Sequence, residues 1–481
     1  MNEGGPVLSA TNIQYEIGEK TKAIAHGGIG AVHRMIRKLR LPERIDEALG
    51  LLKIHVPYHE SDHVLNVAYN VLCGGRVLED LEHRRNDRVF LDALGARSIP
   101  DPTTAGDFCR RFHDRDIDAL MDAINETRLR VWRQQPAAFT STTARIDADG
   151  SIVSTEGECK EGMDISYNGI GGYSTLVVSL ANTGEPLFLL NRNDNRPSHE
   201  GVIPYFDRAI ALCRRAGFSD ILLRGDTDFS CTTALDRWAD DRVRFILGYN
   251  AVKPLVFCAE TAPDDFYEEL QRRAERAIAT SPRARPENVQ QRIVRERGFK
   301  VIRTVAEDVV DFPYQPLNCE REYRIVAVRK LEVVEKGQQE LFEQTRFFFY
   351  ITNDWKLSVH QVVHEARQRC DQENLIQQLK TGVRALHAPV NTLVANWAYM
   401  VMAALAWSIK AWVALLLPTT SRWMERHEAE RRALLRMDFR TFLQAMINVP
   451  AQIVRSGRRV LYRLLAWNPW QHAFFRFLDA T

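Results

Sequence analysis

The 481-residue sequence lacks paired cysteine motifs and any excess of charge of one sign. Its eight cysteines (Cys73, Cys109, Cys159, Cys213, Cys231, Cys258, Cys319, Cys370) are scattered, and no two stand at CxxC spacing. That excludes a zinc finger or a dithiol redox motif. Scattered thiols fit a reducing, cytosolic compartment. The opening MNEGGPVLSA has no basic start and no long apolar stretch, so no secretory signal is expected. Gly169, Gly171 and Gly172 are not followed by GK[ST], so they are not a phosphate loop. His360 and His364 stand at i, i+4 without an HExxH motif, which argues against zinc. No internal repeat is evident.

Lys+Arg total 64 and Asp+Glu 62, a formal net charge of +2. This balance excludes a histone-like polycation and an acidic tail protein. It does not exclude nucleic-acid binding, which needs local basic patches rather than a basic total. At 45% hydrophobic and 26% charged residues, the chain has an ordinary globular composition. At ~150 residues per domain the length suggests about three domains.

One stretch needs a membrane test. Residues 385–409 contain no Asp, Glu, Lys or Arg, and a membrane span needs ~20 apolar residues. His387, Pro389, Asn391, Thr392 and Asn396 interrupt the stretch, and Lys410 follows it. It reads as the central helix of a large core, with Trp397, Trp407 and Trp412 as core side chains rather than base-stacking ones.

What is present divides the chain into five parts. Residues 1–138 read as a helical DNA-binding or dimerisation domain. Val32, Met35, Ile36 and Leu39 recur at helical spacing, as do Val64, Val67, Ala68, Val71 and Leu72. Thr104 and Asp107 resemble a capping box, with Arg110 and Arg111 just beyond as possible DNA-backbone contacts or a solvated face. Residues 139–250 alternate as an α/β core. TTARIDADGSIV is a strand ending in a turn, and two β-rich runs joined at NTG form a hairpin. A helix capped by Ser198 and stopped by Gly217 follows, then the short strand ILLR, a helix and the strand VRFILGYN. The first three strands should be antiparallel and the rest parallel. Residues 251–348 read as a mostly β insertion, with a charged helix (DDFYEELQRRAERAI) and a Pro/Arg linker (SPRARPENVQQR) before its strands. Residues 349–420 return to the core with one helix over 356–381 and then the apolar helix. Residues 421–481 form a basic tail, with eleven Arg against five Asp/Glu and a hairpin in SGRRVLYRLL.

Three acidic places stand out. Asp147 and Asp149, two apart on a strand, point to one face. Asp226 and Asp228 follow the strand ILLR, and α/β sites gather at strand carboxyl ends. Glu373, beside Asp371, lies on a helix. Carboxylates crowded in one cleft resist ionisation unless a cation joins them. A hard divalent ion such as Mg²⁺ meets that need with oxygen ligands, and two such ions suit in-line phosphoryl transfer.

The segments DADGSIVSTEGECKEGMDISYNGIGGYSTLVVSLANTGEPLFLL, NRPSHEG, LRGDTDFS and RQRCDQENLIQQLK resemble the DDE transposases of bacterial insertion sequences. The resemblance is to the subgroup with a β-rich insertion between the second Asp and the Glu. Asp226 lies 77 positions after Asp149, and Glu373 lies 147 after Asp226, which leaves room for that insertion. Asp149-Gly150-Ser151 matches the first motif, with Asp147 in reserve. Asp226-Thr227-Asp228-Phe229 matches the second, with Asp228 in reserve. In the third, Arg369, Glu373 and Lys380 stand where the family has Arg, Glu and Lys, while Ala366 replaces the expected Tyr. On a regular helix those three share one face.

The resemblance implies an α/β, ribonuclease H-like catalytic core. It implies Asp149, Asp226 and Glu373 as catalytic and metal-binding residues, with two Mg²⁺ ions for which Mn²⁺ can substitute. Arg369 and Lys380 would bind DNA. The implied activity is cut-and-paste transposition: cleavage at the element's terminal inverted repeats, then attack of 3′-hydroxyls on target DNA, by a homodimer handling two ends. A strand-hairpin intermediate managed by the insertion is a further implication. The expected setting is the bacterial cytoplasm at the nucleoid, with no membrane partner. The rival readings are an inactive DNA-binding relic and a nuclease of the same fold without strand transfer.

Overall fold

The computed structural model describes residues 13–17, 21–166, 169–193, 196–197, 199–270, 289–336, 339–456, 459–466 and 468–480. The first long part is helical, as its periodicity predicts. Helices α1 (Gly28–Leu39), α2 (Leu41–Ala48), α3 (Glu60–Leu72), α4 (Pro102–Cys109) and α5 (Asp114–Trp132) carry most of it. Val32, Met35, Ile36 and Leu39 bury one face of α1. Helix α4 starts earlier than the Thr104–Asp107 pattern suggested. Its cap is Asp101, whose carboxylate accepts from the Thr104 amide and hydroxyl, both at 2.9 Å. Asp107 instead pairs with Arg110 at 2.7 Å.

The main sheet has eight long strands, numbered among themselves: β1 (Ala144–Ser154), β2 (Gly171–Leu180), β3 (Glu185–Asn193), β4 (Ile221–Gly225), β5 (Arg244–Tyr249), β6 (Lys300–Tyr314), β7 (Tyr323–Lys336) and β8 (Gln339–Thr352). Their spatial order is β3-β2-β1-β4-β5-β8-β7-β6, with two-residue strands added at Asp164–Ile165 and Glu268–Glu269. Strands β1, β2 and β3 are antiparallel, while β1, β4 and β5 run parallel. This mixed order agrees with the sequence reading. The strands of the 251–348 region do not form a sheet of their own. Strand β8 pairs antiparallel with β5, so β6–β8 prolong the core sheet.

Helix α6 (Val202–Ala216) ends at Gly217 in the left-handed conformation, as expected, but begins from Gly201. Ser198, its expected cap, lies outside the described residues. So do residues 271–288, with most of the charged helix expected from Asp264; its described start is not helical in that way but a 3-10 turn, Asp264–Phe266, followed by the short strand Glu268–Glu269. Val289–Glu296 is helical, although the sequence reading placed its first four residues at the end of a linker. The basic tail contributes the hairpin Ala451–Ser456 and Arg459–Leu464, which pairs with Ala23–Ile24 near the other end of the chain.

At the centre lies α9 (Leu393–Leu415), with α7 (Val359–Gln368) and α8 (Cys370–Gln377) preceding it. Every residue from Ala395 to Leu415 is buried. A helix apolar on all sides must be covered on all sides, and α9 packs against β3, α3, α4 and α5. It is long and apolar enough to cross a membrane, yet here it is wholly enclosed by the fold. Each large aliphatic or aromatic side chain so enclosed contributes about 1.5–3 kcal/mol. The three tryptophans of this helix are core residues.

A polar knot joins α9 to the sheet and to α5. Glu185, at the start of β3, is completely buried. It accepts from Arg128 Nε, Trp132 Nε1 and Trp412 Nε1, each at 2.9 Å. Arg128 also donates to the Pro186 carbonyl at 2.8 Å and Ser408 Oγ at 2.9 Å. Lys410 is buried too, with one hydrogen bond, to the Leu435 carbonyl at 2.8 Å, and its ammonium 3.9 Å from the Trp407 ring.

Candidate active site

Strand register brings two of the sequence-predicted acids together. Strands β1 and β4 pair in parallel, with Asp147 opposite Arg224. Two residues further on come Asp149, on the same face of β1 as Asp147, and Asp226, just past the end of β4. Asp149 is not at the end of its strand, as the sequence suggested. It is mid-strand, because β2 pairs with β1 all the way to Ser154. Strand β4, in contrast, ends at Gly225. The cleft opens where the parallel partner stops, so Asp149 sits on a platform beside Asp226. Asp226 leaves β4 in an extended conformation and caps the following turn, accepting from the Asp228 amide at 3.0 Å.

The reserve acids have other tasks. Asp147 is fully buried and forms a two-pronged pair with Arg224 at 2.7 and 2.8 Å. Asp228 is exposed on the turn.

The helix expected over 356–381 is broken rather than continuous. Ser358 caps α7, which ends at Gln368; α8 starts at Cys370, and a wider π turn spans Gln378–Gly382. Arg369 is the joint between α7 and α8. Arg369, Glu373 and Lys380 therefore do not share a single straight helical face, yet all three stay beside the cleft. Arg369 Nη1 lies 2.9 Å from Asp149 Oδ2, and its Nη2 lies 3.7 Å from Glu373 Oε1. Glu373 itself is mostly exposed, at 61% of its side-chain surface. Lys380 is half-buried and forms no ion pair among the described residues; its charge acts on Asp149.

The electrostatics follow from burial. Desolvation pushes the Asp149 carboxyl above the ordinary carboxylate range; Arg369 opposes this and Asp226 adds to it. Desolvation likewise raises Asp226, again opposed by Arg369. Burial lowers the Lys380 ammonium, and Asp149 partly restores it. One guanidinium thus serves three carboxylates. Among the described residues, no three His, Cys, Asp or Glu side chains stand close enough to hold a metal as they are. The chemistry of the donor set nevertheless suits a hard divalent ion: oxygen ligands only, two of them raised by burial despite Arg369.

Several supporting residues were not picked out from sequence. Gln372, next to Glu373, is buried; it donates to the Val177 carbonyl at 3.0 Å and accepts from Ser179 Oγ, docking α8 on β2. Gly248 on β5 permits the Asp226 turn to lie close by. A Cβ there would fall 2.4 Å from the Thr227 nitrogen and 2.7 Å from the Asp226 carbonyl carbon. Arg224 and Glu365 are ion-paired beneath the cleft. An Arg-x-Asp spacing on β4 was the available sequence signal for Arg224; Gln372 and Gly248 gave none. Ala366, the departure from the family's third motif, packs against a buried apolar cluster that includes Val362, Val363, Leu222 and Ile246; Tyr350, whose hydroxyl bonds Arg367, packs on the same cluster.

These features define a mixed α/β protein with an acidic cleft at strand ends, flanked by cations suited to phosphate oxygens. The pattern of the family described as transposase DDE domain group 1 matches residues 14–480, and the chain belongs to that family. It is a transposase-family protein of the DNA phosphoryl-transfer class, whose members generally use divalent metal ions. No curated protein matches the chain. Among solved structures, it is similar to a piggyBac transposase in a synaptic complex with hairpin DNA. The identity is 9% and the TM-score 0.38, over 88% of this chain and 81% of that one.

Proposed function

We propose that the chain catalyses cut-and-paste DNA transposition from a ribonuclease H-like core, with Asp149, Asp226 and Glu373 as the catalytic acids. The observation that carries this reading is the parallel register of β1 and β4, which sets Asp149 beside Asp226 at the mouth of a cleft that Arg369 and Lys380 flank. Asp149 and Asp226 would supply oxygen ligands for two Mg²⁺ ions, with Mn²⁺ as a substitute, and Glu373 would complete the set from α8. Bound divalent ions supply Lewis-acid activation of a water or 3′-hydroxyl and neutralise the leaving oxygen.

The chain's own side chains do the rest. Arg369, rigid and forked, turns from Asp149 toward a DNA phosphate, and Lys380 adds a second point charge beside it. Gln372 holds the height of α8, and Gly248 keeps the Asp226 turn close to the sheet. The partners in this reading are the element's terminal inverted repeats and target DNA, handled by a homodimer. The test is cleavage of DNA carrying the element's ends in Mg²⁺. Wild-type protein cuts and joins; Asp226→Asn protein does neither. Equal cleavage by both would end this assignment, and cleavage without joining would favour a nuclease.

A further inference from the structure

Beneath the cleft, four charged side chains form one continuous network. Glu365 on α7 receives Arg145 of β1 in two prongs, 2.8 Å from Nε and 2.6 Å from Nη2. Arg224 of β4 reaches the same carboxylate at 3.3 Å and closes on Asp147 of β1 with its other nitrogens. Arg224, Asp147 and Glu365 keep only 2%, 1% and 16% of their side-chain surface exposed.

The positions of these residues are informative. Asp147 stands two residues before Asp149, and Arg224 two before Asp226. Glu365 stands one turn before Arg369 and two turns before Glu373. The strand that carries Asp149, the strand that leads into Asp226 and the helix that leads into α8 are therefore tied together just upstream of the three acids. The break between α7 and α8 is part of the same device. The Arg369 amide turns to the Ala366 carbonyl at 3.3 Å. The Glu365 carbonyl accepts instead from Arg224 Nη1 at 3.1 Å. The helix changes course where the strands hold it.

Resting on the assignment of Asp149, Asp226 and Glu373 as the site, we propose that Glu365 is a positioning residue. Through Arg145, Arg224 and Asp147 it fixes helix α8, and hence Glu373 and Arg369, relative to the two aspartates. A buried ion network could serve stability alone, and such networks often contribute little to it. The present one differs because it spans the three elements that must agree in position.

The experiment uses the full-length, metal-free protein and Glu365→Gln, which keeps shape and removes charge. Arg244→Gln is the control. Arg244 is part-buried in the same sheet and pairs with Asp220 and Asp354 rather than with Glu365 or Asp147. Hydrogen exchange of the Cys370–Gln377 amides should accelerate about tenfold in Glu365→Gln and stay unchanged in Arg244→Gln. Mn²⁺ affinity, followed by electron paramagnetic resonance, should fall roughly 10- to 100-fold in the first and hold in the second. Should Glu365→Gln fail to fold, Arg145→Gln, which removes the more exposed arm, should show the same changes to a smaller degree. Unchanged exchange over α8, or equal acceleration in the control, overturns the proposal. If wild-type protein bound no Mn²⁺, the metal assignment would fall while the exchange data still judged the brace.

Discussion

Glu185 and Asp149 are both inward-facing carboxylates held by an arginine, and they are built for opposite ends. Glu185 is closed: one guanidinium and two indole N–H groups occupy its oxygens, and no surface remains. Asp149 is left open: one guanidinium nitrogen lies within reach, a second carboxyl stands beside it, and its side chain keeps 15% exposure. A carboxylate whose hydrogen-bonding capacity is filled holds a fold together. One whose capacity is unfilled, kept above its normal ionisation range by burial, is available to a ligand.

This contrast breaks down if the two acids respond alike to substitution. The largest effect expected is on DNA cleavage. Asp149→Asn should reduce the rate roughly 10³-fold or more, while chemical denaturation finds its stability equal to wild type or higher. Glu185→Ala should do the reverse to the fold. It strands Arg128 in the core and should cost about 3–5 kcal/mol of unfolding free energy. A stable Glu185→Ala protein, or an unstable Asp149→Asn protein, would refute the division of labour.

Smaller effects sharpen the same comparison. Gly248→Ala should lower cleavage about tenfold by pushing the Asp226 turn off the sheet, with Mn²⁺ affinity falling in parallel; unaltered Mn²⁺ binding would show that the turn yields without moving Asp226. A pH-dependent effect on stability comes from Lys410, the one cation in the enclosed helix, with a hydrogen bond to the Leu435 carbonyl. Burial lowers its ammonium to about 7. The unfolded chain holds that proton to ~10.4, so between these values the unfolded state binds more protons and stability rises with pH. The penalty is complete below about 7. Lys410→Met should stabilise the protein at pH 6 and flatten this rise in urea titrations.

Much of the fold was legible because it is written in local periodicity. The α1 and α3 stripes, the alternation around Asp149, and the largely apolar run of α9 all correspond to what they became. That Asp149 and Asp226 stand near each other was also anticipated: strand-end position drew attention to both, and the family motifs singled out Asp149 over Asp147. Other features depend on distant parts of the chain. Asp149 looked terminal because a Gly follows it, whereas its antiparallel neighbour β2 carries the strand five residues beyond it, to Ser154. The cap at Asp101 was missed in favour of Thr104, since both positions offer an oxygen and only the backbone course decides. The break at Arg369 could not be read from helix-forming residues on either side; it lies where a strand arginine, Arg224, bonds the Glu365 carbonyl. The saturation of Asp147 by Arg224 was equally hidden, being a matter of register between strands 77 positions apart.

The enclosed helix carries a consequence for how the protein is made. Its seat is formed by β3, which ends at Asn193, and by helices earlier still, yet α9 begins only at Leu393. At about 5–20 residues per second, a ribosome takes roughly 10–40 s to bridge that interval. Throughout it, the first half of the chain exposes an apolar trough with nothing to fill it. The helix bearing Glu373 emerges in the last moments of the same wait. Synthesis therefore imposes its own order: the core closes and the third acid arrives together, and a truncated nascent chain has neither.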